Sequence, residues 1–247
     1  MASRNQKLVD SPVTKWYQWK TQYDNNENPV GGSLVWYDKE NEKNVFVDLP
    51  FSFALINDNN TCFKGYSESL KMGIWSNEVG NKNHEVVLKT KNDTLMKFKL
   101  GDYKINKEKV ESYGAKYNKV VYGAVQNEEG DFELVGITFS GAALTGGVDS
   151  ENFEPEERFD GYFNFTKVAG KQKVITNYIT IASDVVKKKG KTKFFVPRFE
   201  VGQLITEEDN NQLLELNKKL DEYHKYYFSQ KTEEQPVESA DIDYTEA

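Results

Sequence analysis

The first 200 residues alternate short apolar stretches with polar turns, and this pattern predicts a mainly β fold. Within the stretches, β-branched and aromatic side chains recur at about every second position, while Asn, Gly, Asp and Lys occupy the turns between them. The predicted strands cover residues 13–19, 33–37, 45–56, 85–90, 94–100, 119–126, 132–140, 161–168, 173–182 and 191–199. Many short strands separated by turns are typical of a β-barrel or sandwich. Two short helices are predicted over residues 104–113 and 141–147.

A different pattern covers residues 206–229. Thr206 and Asp209 form a capping signal, and apolar residues then recur at spacings of three and four. These residues are Leu213, Leu216, Leu220, Tyr223 and Tyr227. The spacing predicts one amphipathic helix, which packs on its own β domain or pairs with another subunit. Residues 231–247 hold six acids and one lysine, and we interpret them as a disordered acidic tail. The expected organisation is therefore a β-rich domain over residues 1–200, a helix and a tail.

Charge is sorted along the chain. Residues 82–122 carry ten lysines against five acids, and residues 163–199 carry nine Lys or Arg against one acid, so these stretches are +5 and +8. Residues 126–160 hold ten acids against one arginine, and residues 200–247 hold thirteen acids against four lysines. In a strand, alternation of lysine with apolar residues places one face in a core and the other in a cationic surface.

The basic stretches predict a nucleic-acid interface. Lysines neutralise phosphates without reading sequence, and aromatic faces stack on any base at ~1–3 kcal/mol each. The candidate DNA-binding residues are Lys89, Lys97, Lys99, Lys116, Lys119, Lys187, Lys188, Lys189, Lys191, Lys193, Trp75, Tyr113, Tyr117 and Tyr122. The alternative is an ordinary lysine-coated β surface. Trp16, Trp19, Trp36 and Trp75 are more often core residues than stacking platforms.

The sequence shows no clear combination of residues that would form a catalytic site. His84 and His224 lie on segments of different predicted type, and Cys62 has no histidine close to it in sequence. Residues 149–160 contain an acidic cluster, which lacks the spacing of a calcium-binding loop and is interpreted as a solvated loop. We therefore expect no enzyme activity, no cofactor and no metal. The chain has no apolar run of the ~18 residues that a membrane span requires, so we expect no membrane association.

Several short blocks carry a resemblance to a known family. They are Leu49-Pro50-Phe51, Lys64-Gly65-Tyr66, the run of residues 73–79, Gly114-Ala115-Lys116-Tyr117 and Gly141-Ala142-Ala143-Leu144. Together they resemble the single-stranded DNA-binding proteins of tailed bacteriophages, particularly those that infect Bacteroidetes, over roughly residues 45–199. The resemblance implies an OB-like β-barrel, a role in DNA replication, recombination or repair in the cytoplasm of the host cell, and an acidic C-terminus that recruits partner proteins. Residues 149–160 and the helix from Thr206 exceed a minimal five-stranded OB barrel, so the strand order stays open.

Two hypotheses follow. The first is a non-catalytic protein that binds single-stranded DNA without sequence preference on an elaborated OB-like barrel, with a tail that competes with DNA or docks replication proteins. The second is a β-rich phage structural or assembly protein whose terminal helix mediates homo-oligomerisation; the overall pI near 5.1 suits it somewhat better. Without residues 231–247, however, the net charge changes from −7 to −2. The rest of the chain is therefore nearly neutral, which is compatible with one basic face.

Overall fold

The computed structural model describes residues 9–147 and 155–230, and it is mainly β with a long C-terminal helix, as predicted. Twelve strands form one mixed sheet. They are β1 Lys15–Tyr23, β2 Pro29–Asp38, β3 Lys43–Phe46, β4 Phe51–Asn57, β5 Thr61–Ser67, β6 Met72–Ser76, β7 Glu85–Lys89, β8 Thr94–Lys99, β9 Ala115–Gln126, β10 Phe132–Ser140, β11 Asn177–Lys189 and β12 Thr192–Leu204. The helices are α1 Tyr103–Ser112, α2 Gly141–Thr145, α3 Tyr162–Ala169, α4 Lys171–Thr176 and α5 Glu207–Gln230, with 3-10 turns at Leu100–Asp102 and Pro155–Phe159.

The long strand β9 organises the sheet. The main path runs β3-β2-β1-β10-β9-β5-β6-β7-β8, and only β1 and β10 are parallel in it. The first half of β9 pairs with β5, whereas its second half pairs with β4. Strand β4 also pairs with β11, and β11 pairs with β12. One strand therefore belongs to two branches of the sheet, and the β4-β11-β12 branch folds back over the main path.

The main hydrophobic core lies between this branch and the inner face of β1, β2, β9 and β10. Its fully buried side chains include Leu34, Phe53, Ile137, Ile181 and Phe199. The indole NH of Trp19 donates to the carbonyl of Phe195 at 2.9 Å, which joins β1 to β12. Strand β12 has no backbone pairing with β2, so the sheet does not close. The predicted mainly β architecture is confirmed, but the barrel is not closed: side-chain packing, and not a hydrogen-bond ladder, connects the two ends.

A second core lies under β5, β6, β7 and β8. Phe63, Ile74, Val86, Leu88 and Phe98 are buried in it, and α1 closes it with Val110. The alternation predicted for β7 and β8 is confirmed, because Val86 pairs with Phe98 and Leu88 with Met96 on the inner face. Their lysines consequently lie on the opposite face.

The long helix α5 packs on the outer face of β4, β9 and β10. Leu213 and Leu220 are buried against strand residues such as Ala124 and Val120, and the backbone NH of Asp209 donates to the Thr206 hydroxyl at 3.1 Å. The predicted capping and apolar stripe are confirmed. Since the stripe covers its own sheet, it is not available for pairing with another subunit.

Some of the predicted elements were wrong. Residues 161–168 were predicted as a strand, but they form α3, in which Tyr162 and Phe165, three positions apart, face the core. The strand predicted over residues 173–182 begins only at Asn177, because α4 takes the preceding residues. Apolar runs this short do not distinguish a buried strand from a buried helix.

Other strand boundaries also moved. The strand predicted over residues 45–56 is two strands, β3 and β4, separated around Pro50, which lacks an amide hydrogen for a ladder. Strands β5 and β6 were not predicted. Residues 187–190, which lie between two of the predicted strands, are mostly strand as well, because β11 continues to Lys189, which pairs with Thr192 across Gly190 and Lys191. The predicted tail, residues 231–247, and residues 149–154 of the acidic cluster lie outside the described residues. The interpretation of the cluster as a solvated loop is wrong for Asp160, which is fully buried.

Candidate nucleic-acid interface

A row of lysines and one tryptophan crosses four strands of the sheet. Lys116 of β9 pairs with Lys64 of β5, Lys64 pairs with Trp75 of β6, and Trp75 pairs with Lys89 of β7. Cross-strand partners point to the same side of a sheet, and neighbouring strands lie ~4.8 Å apart, so the row is ~14 Å long. We call Lys116, Lys64, Trp75 and Lys89 the basic row.

The basic row belongs to the outer face of the sheet, the face that also carries α5. Lys97 and Lys99 lie on it in β8, because they pair with Val87 and Glu85 of β7. On the other side of the row, β1 presents Trp16, Gln18 and Lys20, since Tyr17 and Trp19 point into the main core. Lys97, Lys99 and Lys116 are exposed, and Lys20, Lys64 and Lys89 are half-buried. Glu85 is the one acid among the strand residues described on this part of the face.

Two tryptophans of this face lie beside lysines. The Lys89 ammonium is 6.0 Å from the centre of the Trp75 ring, and the Lys64 ammonium is 5.7 Å from that of Trp16. Both rings are half-buried, and Trp75 belongs to neither of the two cores. A lysine at this distance from an aromatic face is attracted by the ring, and it can exchange that contact for a phosphate. In both pairs the ring and the cation lie side by side on one face.

Five of the predicted site residues lie together on this face: Lys89, Lys97, Lys99, Lys116 and Trp75. Three others, Tyr113, Tyr117 and Lys119, do not. Tyr117 and Lys119 alternate with Lys116 along β9 and so point to the inner side, where Tyr117 and Tyr113 pack against the second core. Burial lowers the pKa of Lys119, and Asp58 lies near enough to raise it in part.

Tyr122 lies under α5 and cannot stack on a base. Its ring is 1% exposed and makes an edge contact with His224 of the helix. Its hydroxyl donates to the Glu78 carboxylate at 2.7 Å, while Asn60 also donates to Glu78. Burial, followed by the charge of Glu78, raises the pKa of Tyr122 well above its ordinary value. Burial also lowers the pKa of His224. This polar cluster holds α5 on the sheet.

The second basic segment, the β11-β12 hairpin, lies on the opposite side of β1 and β2 from the basic row. Phe195 packs there against Trp19, whose side chain faces the main core, and against Gly32, which has no side chain on that face. Lys188, Lys189, Lys191 and Lys193 are exposed at the tip. The two sets of lysines were expected to share one surface, but the β4-β11-β12 branch folds over the other side of the sheet and so separates them.

Lys187 does not belong to the solvated tip. Its ammonium is 2.6 Å from Glu157 and 2.9 Å from Asp160, and its side chain is 12% exposed. Asp160 is fully buried and also accepts from Arg198 at 2.8 Å. Lys187, a candidate DNA-binding residue, instead fastens the hairpin to the 3-10 turn at Pro155–Phe159 through these ion pairs.

Sequence reasoning missed three residues of the face: Trp16, Lys20 and Lys64. Trp16 was treated as a core residue, and the two lysines lie outside the strongly basic segments. The alternation Trp16, Gln18, Lys20 along β1 was the available signal, because it places a ring and a cation on one side of a strand. Burial lowers the pKa of Lys20, whose ammonium stands in a partly desolvated position.

Other chemistry is sparse in the part of the chain that the structure describes. Within residues 9–147 and 155–230, no group of three or more His, Cys, Asp or Glu side chains is placed to hold a metal ion. The Cys62 thiol is buried, and burial raises its pKa to about 11. No described helix is long and apolar enough to cross a membrane.

No family model, no curated protein and no solved structure matches this chain.

Proposed function

We propose that this protein binds single-stranded DNA with little sequence preference and acts in phage DNA replication, recombination or repair. The observation that supports this most directly is the basic row, in which Trp75 stands between Lys64 and Lys89 on one face. A positively charged surface that tracks the backbone, with aromatic rings for the bases, is the general design of proteins that hold single strands.

The tryptophan in this site favours a single strand over a duplex. Lysines bind phosphates of either form, but stacking on Trp75 requires an unpaired base whose face is accessible. The basic row runs across the strands. We therefore propose that the DNA runs from β9 towards β8 and contacts Lys97 at the β8 end of the row. The site acts by binding alone and needs no catalytic group.

The position at which α5 ends is the reason for assigning a role to the acidic tail. The Phe228 ring, near the end of the helix, is 4.8 Å from the His84 ring, and the His84 carbonyl accepts from the backbone of Leu100. The chain therefore leaves α5 beside the strand end that carries Lys99. Residues 231–247 add six acids and one lysine, a net −5. We propose that this segment competes with DNA for the basic face or docks replication proteins.

A fluorescence titration with unstructured oligo-dT, and with a duplex of equal length, tests the proposal. At low salt we expect binding of oligo-dT, quenching of tryptophan emission and much weaker binding of duplex. With three to five phosphate contacts, log K should fall with log salt at a slope of roughly −2 to −3.5, at about −0.7 per contact. Absence of binding at low salt, or equal affinity for duplex, would overturn the proposal.

The structural or assembly role is less well supported by the molecule. Its sequence argument relied on a terminal helix free to pair with another subunit, whereas Leu213 and Leu220 of α5 are buried on the protein's own sheet. No contact of the described residues favours that role over DNA binding.

A further inference from the structure

Strand β8 is the last strand of the main path, and one of its two edges is open. It pairs with β7 on one side, and no strand of the described residues pairs with its other side. An edge of this kind presents a row of backbone NH and carbonyl groups, which is a template for one more strand. We call the open side of Thr94–Lys99 the β8 edge.

The two faces of the sheet differ in character at the β8 edge. Lys97 and Lys99 are exposed on the outer face, and no carboxylate of the described residues lies within ion-pairing distance of either ammonium. Met96 and Phe98 point to the inner face and are buried in the second core. A strand that fits this edge therefore carries acids on one face and apolar side chains on the other.

The last residues of the chain contain a segment with these two faces. From Ala240 to Tyr244 the sequence alternates apolar residues with Asp241 and Asp243. This is the period of a strand that has one apolar and one acidic face. Pro236, which cannot donate to a strand ladder, precedes the segment. The segment therefore matches the β8 edge in both charge and apolar character.

The length of the chain allows this segment to reach the β8 edge. Helix α5 ends beside the start of β7, because the Phe228 ring is 4.8 Å from the His84 ring. The open side of β8 lies about 10 Å from β7, at ~4.8 Å per strand. Residues 231–239 can span up to ~30 Å, at ~3.3 Å per residue. A chain that comes from this side meets the Lys99 end of β8 first, so it would run antiparallel to β8.

We infer that residues 240–244 of the same chain dock on the β8 edge as a further, antiparallel strand. One register sets both acids opposite both lysines, and it pairs Asp241 with Lys99, Ile242 with Phe98, Asp243 with Lys97 and Tyr244 with Met96. The apolar side chains of the segment then extend the second core, while its acids neutralise the β8 end of the basic face. Opposite charges in facing positions stabilise such a pair of strands.

A second copy of β8 fits this edge less well. Antiparallel pairing of two β8 strands places Lys97 and Lys99 of both copies on one face, where like charges repel. Docking of the chain's own segment needs no DNA. Only its consequence, that Lys97 and Lys99 are withdrawn from phosphates, rests on the proposed function.

Hydrogen exchange in the absence of DNA tests the docking. The full chain is compared with the chain that lacks residues 231–247, and exchange of the β8 amides is followed by NMR. The amides that point to the open side should exchange about tenfold more slowly in the full chain, which corresponds to a docked fraction of about 90%. Equal exchange in the two proteins would overturn the inference. Protection that disappears on dilution would assign the edge to a second copy and overturn docking within one chain.

Variants that keep the charge separate a docked strand from simple attraction of acids to lysines. Ile242→Asn with Tyr244→Asn removes the apolar face of the segment, so exchange at the β8 edge should become as fast as in the truncated chain. Val237→Asn, in the same tail but outside the segment, is the matched control and should keep the protection. Protection that survives the double substitution would overturn the docked strand.

The same proteins distinguish this inference from the proposed function. Where oligo-dT binds, the double variant should bind it more tightly than the wild type, because Lys97 and Lys99 become available, and Val237→Asn should not. Equal affinity of all three proteins would overturn the withdrawal of these lysines. Absence of oligo-dT binding would overturn the proposed function, while protection of the β8 edge would still establish the docked strand.

Discussion

The basic row and the β11-β12 hairpin are both rich in lysine, yet they differ in what surrounds the charge. In the row, Lys64 and Lys89 stand beside Trp75 on an open face. In the hairpin, Lys187 is paired with buried Asp160, and Phe195 packs against Trp19. Density of lysine along the chain therefore does not identify a binding surface. What distinguishes the row is the placement of cations and rings on the same side of a ladder.

The largest effect should come from the ion pairs behind the hairpin. Asp160→Ala leaves Lys187 and Arg198 close together at a buried site, and breaking such a pair should lower the free energy of unfolding by about 3 kcal/mol. Urea denaturation followed by circular dichroism measures this. Lys188→Ala, at an exposed neighbouring position, should leave stability nearly unchanged. A wild-type stability for Asp160→Ala would show that the hairpin is not fastened here.

Neutralising the exposed lysines compares the two regions directly. Lys89→Gln, Lys97→Gln and Lys99→Gln together should weaken binding of oligo-dT and reduce the magnitude of the salt slope by about 2, at ~0.7 per lost phosphate contact. The matched variant, Lys188→Gln with Lys189→Gln and Lys191→Gln, removes the same charge from the hairpin and should change the slope by less than half as much. Titrations at two salt concentrations give both values. A larger effect in the hairpin would reverse our assignment of the interface.

Removing the ring of Trp75 separates stacking from charge. Trp75→Ala should cost about 1–3 kcal/mol of binding free energy, while Trp75→Phe should retain most of the affinity. The salt slope should be the same in both variants, since neither removes a cation. Affinity unchanged in Trp75→Ala would mean that the bases stack elsewhere on the face.

Deleting residues 231–247 removes a net −5 tethered beside the strand end that carries Lys99. We expect tighter binding of oligo-dT at low salt, with the gain fading as salt screens the competing charges. Oligo-dT affinity that does not change at low salt would exclude competition by the tail but not docking of other proteins to it.

The smallest effect concerns pH and the polar cluster under α5. Burial lowers the pKa of His224, so the unfolded chain binds more protons than the folded chain below about pH 6.5, the ordinary value for histidine. Unfolding free energy should therefore decline as pH falls below that value, until the folded imidazole also protonates. Asp221 opposes the shift, and Glu78 lies 3.9 Å away. In His224→Gln, urea denaturation at pH 8 and pH 5.5 should show a smaller difference than in the wild type; an equal difference would assign the pH dependence to other groups.

Residue spacing alone was enough to predict the elements that have long or strictly alternating patterns. The capped apolar stripe of α5 and the alternation of β7 and β8 each bury one side of an element, and that requirement is visible in residue spacing. The same alternation placed Lys97 and Lys99 on an outer face. The prediction of a strand over residues 161–168 was wrong, because so short an apolar run fits the periodicity of a helix as well as that of a strand.

Which basic and aromatic residues become neighbours could not be predicted from spacing, because it depends on how the strands pair. Lys116, Lys64, Trp75 and Lys89 become neighbours through the pairing of β9, β5, β6 and β7, and this register depends on contacts that are distant in sequence. Tyr122 faces the same side as Lys116, yet α5 covers it. The partnership of Lys187 with Asp160 likewise depends on how the chain folds back on itself. Spacing along the chain fixes the face on which a side chain lies, but what covers that face is decided by the packing of distant elements.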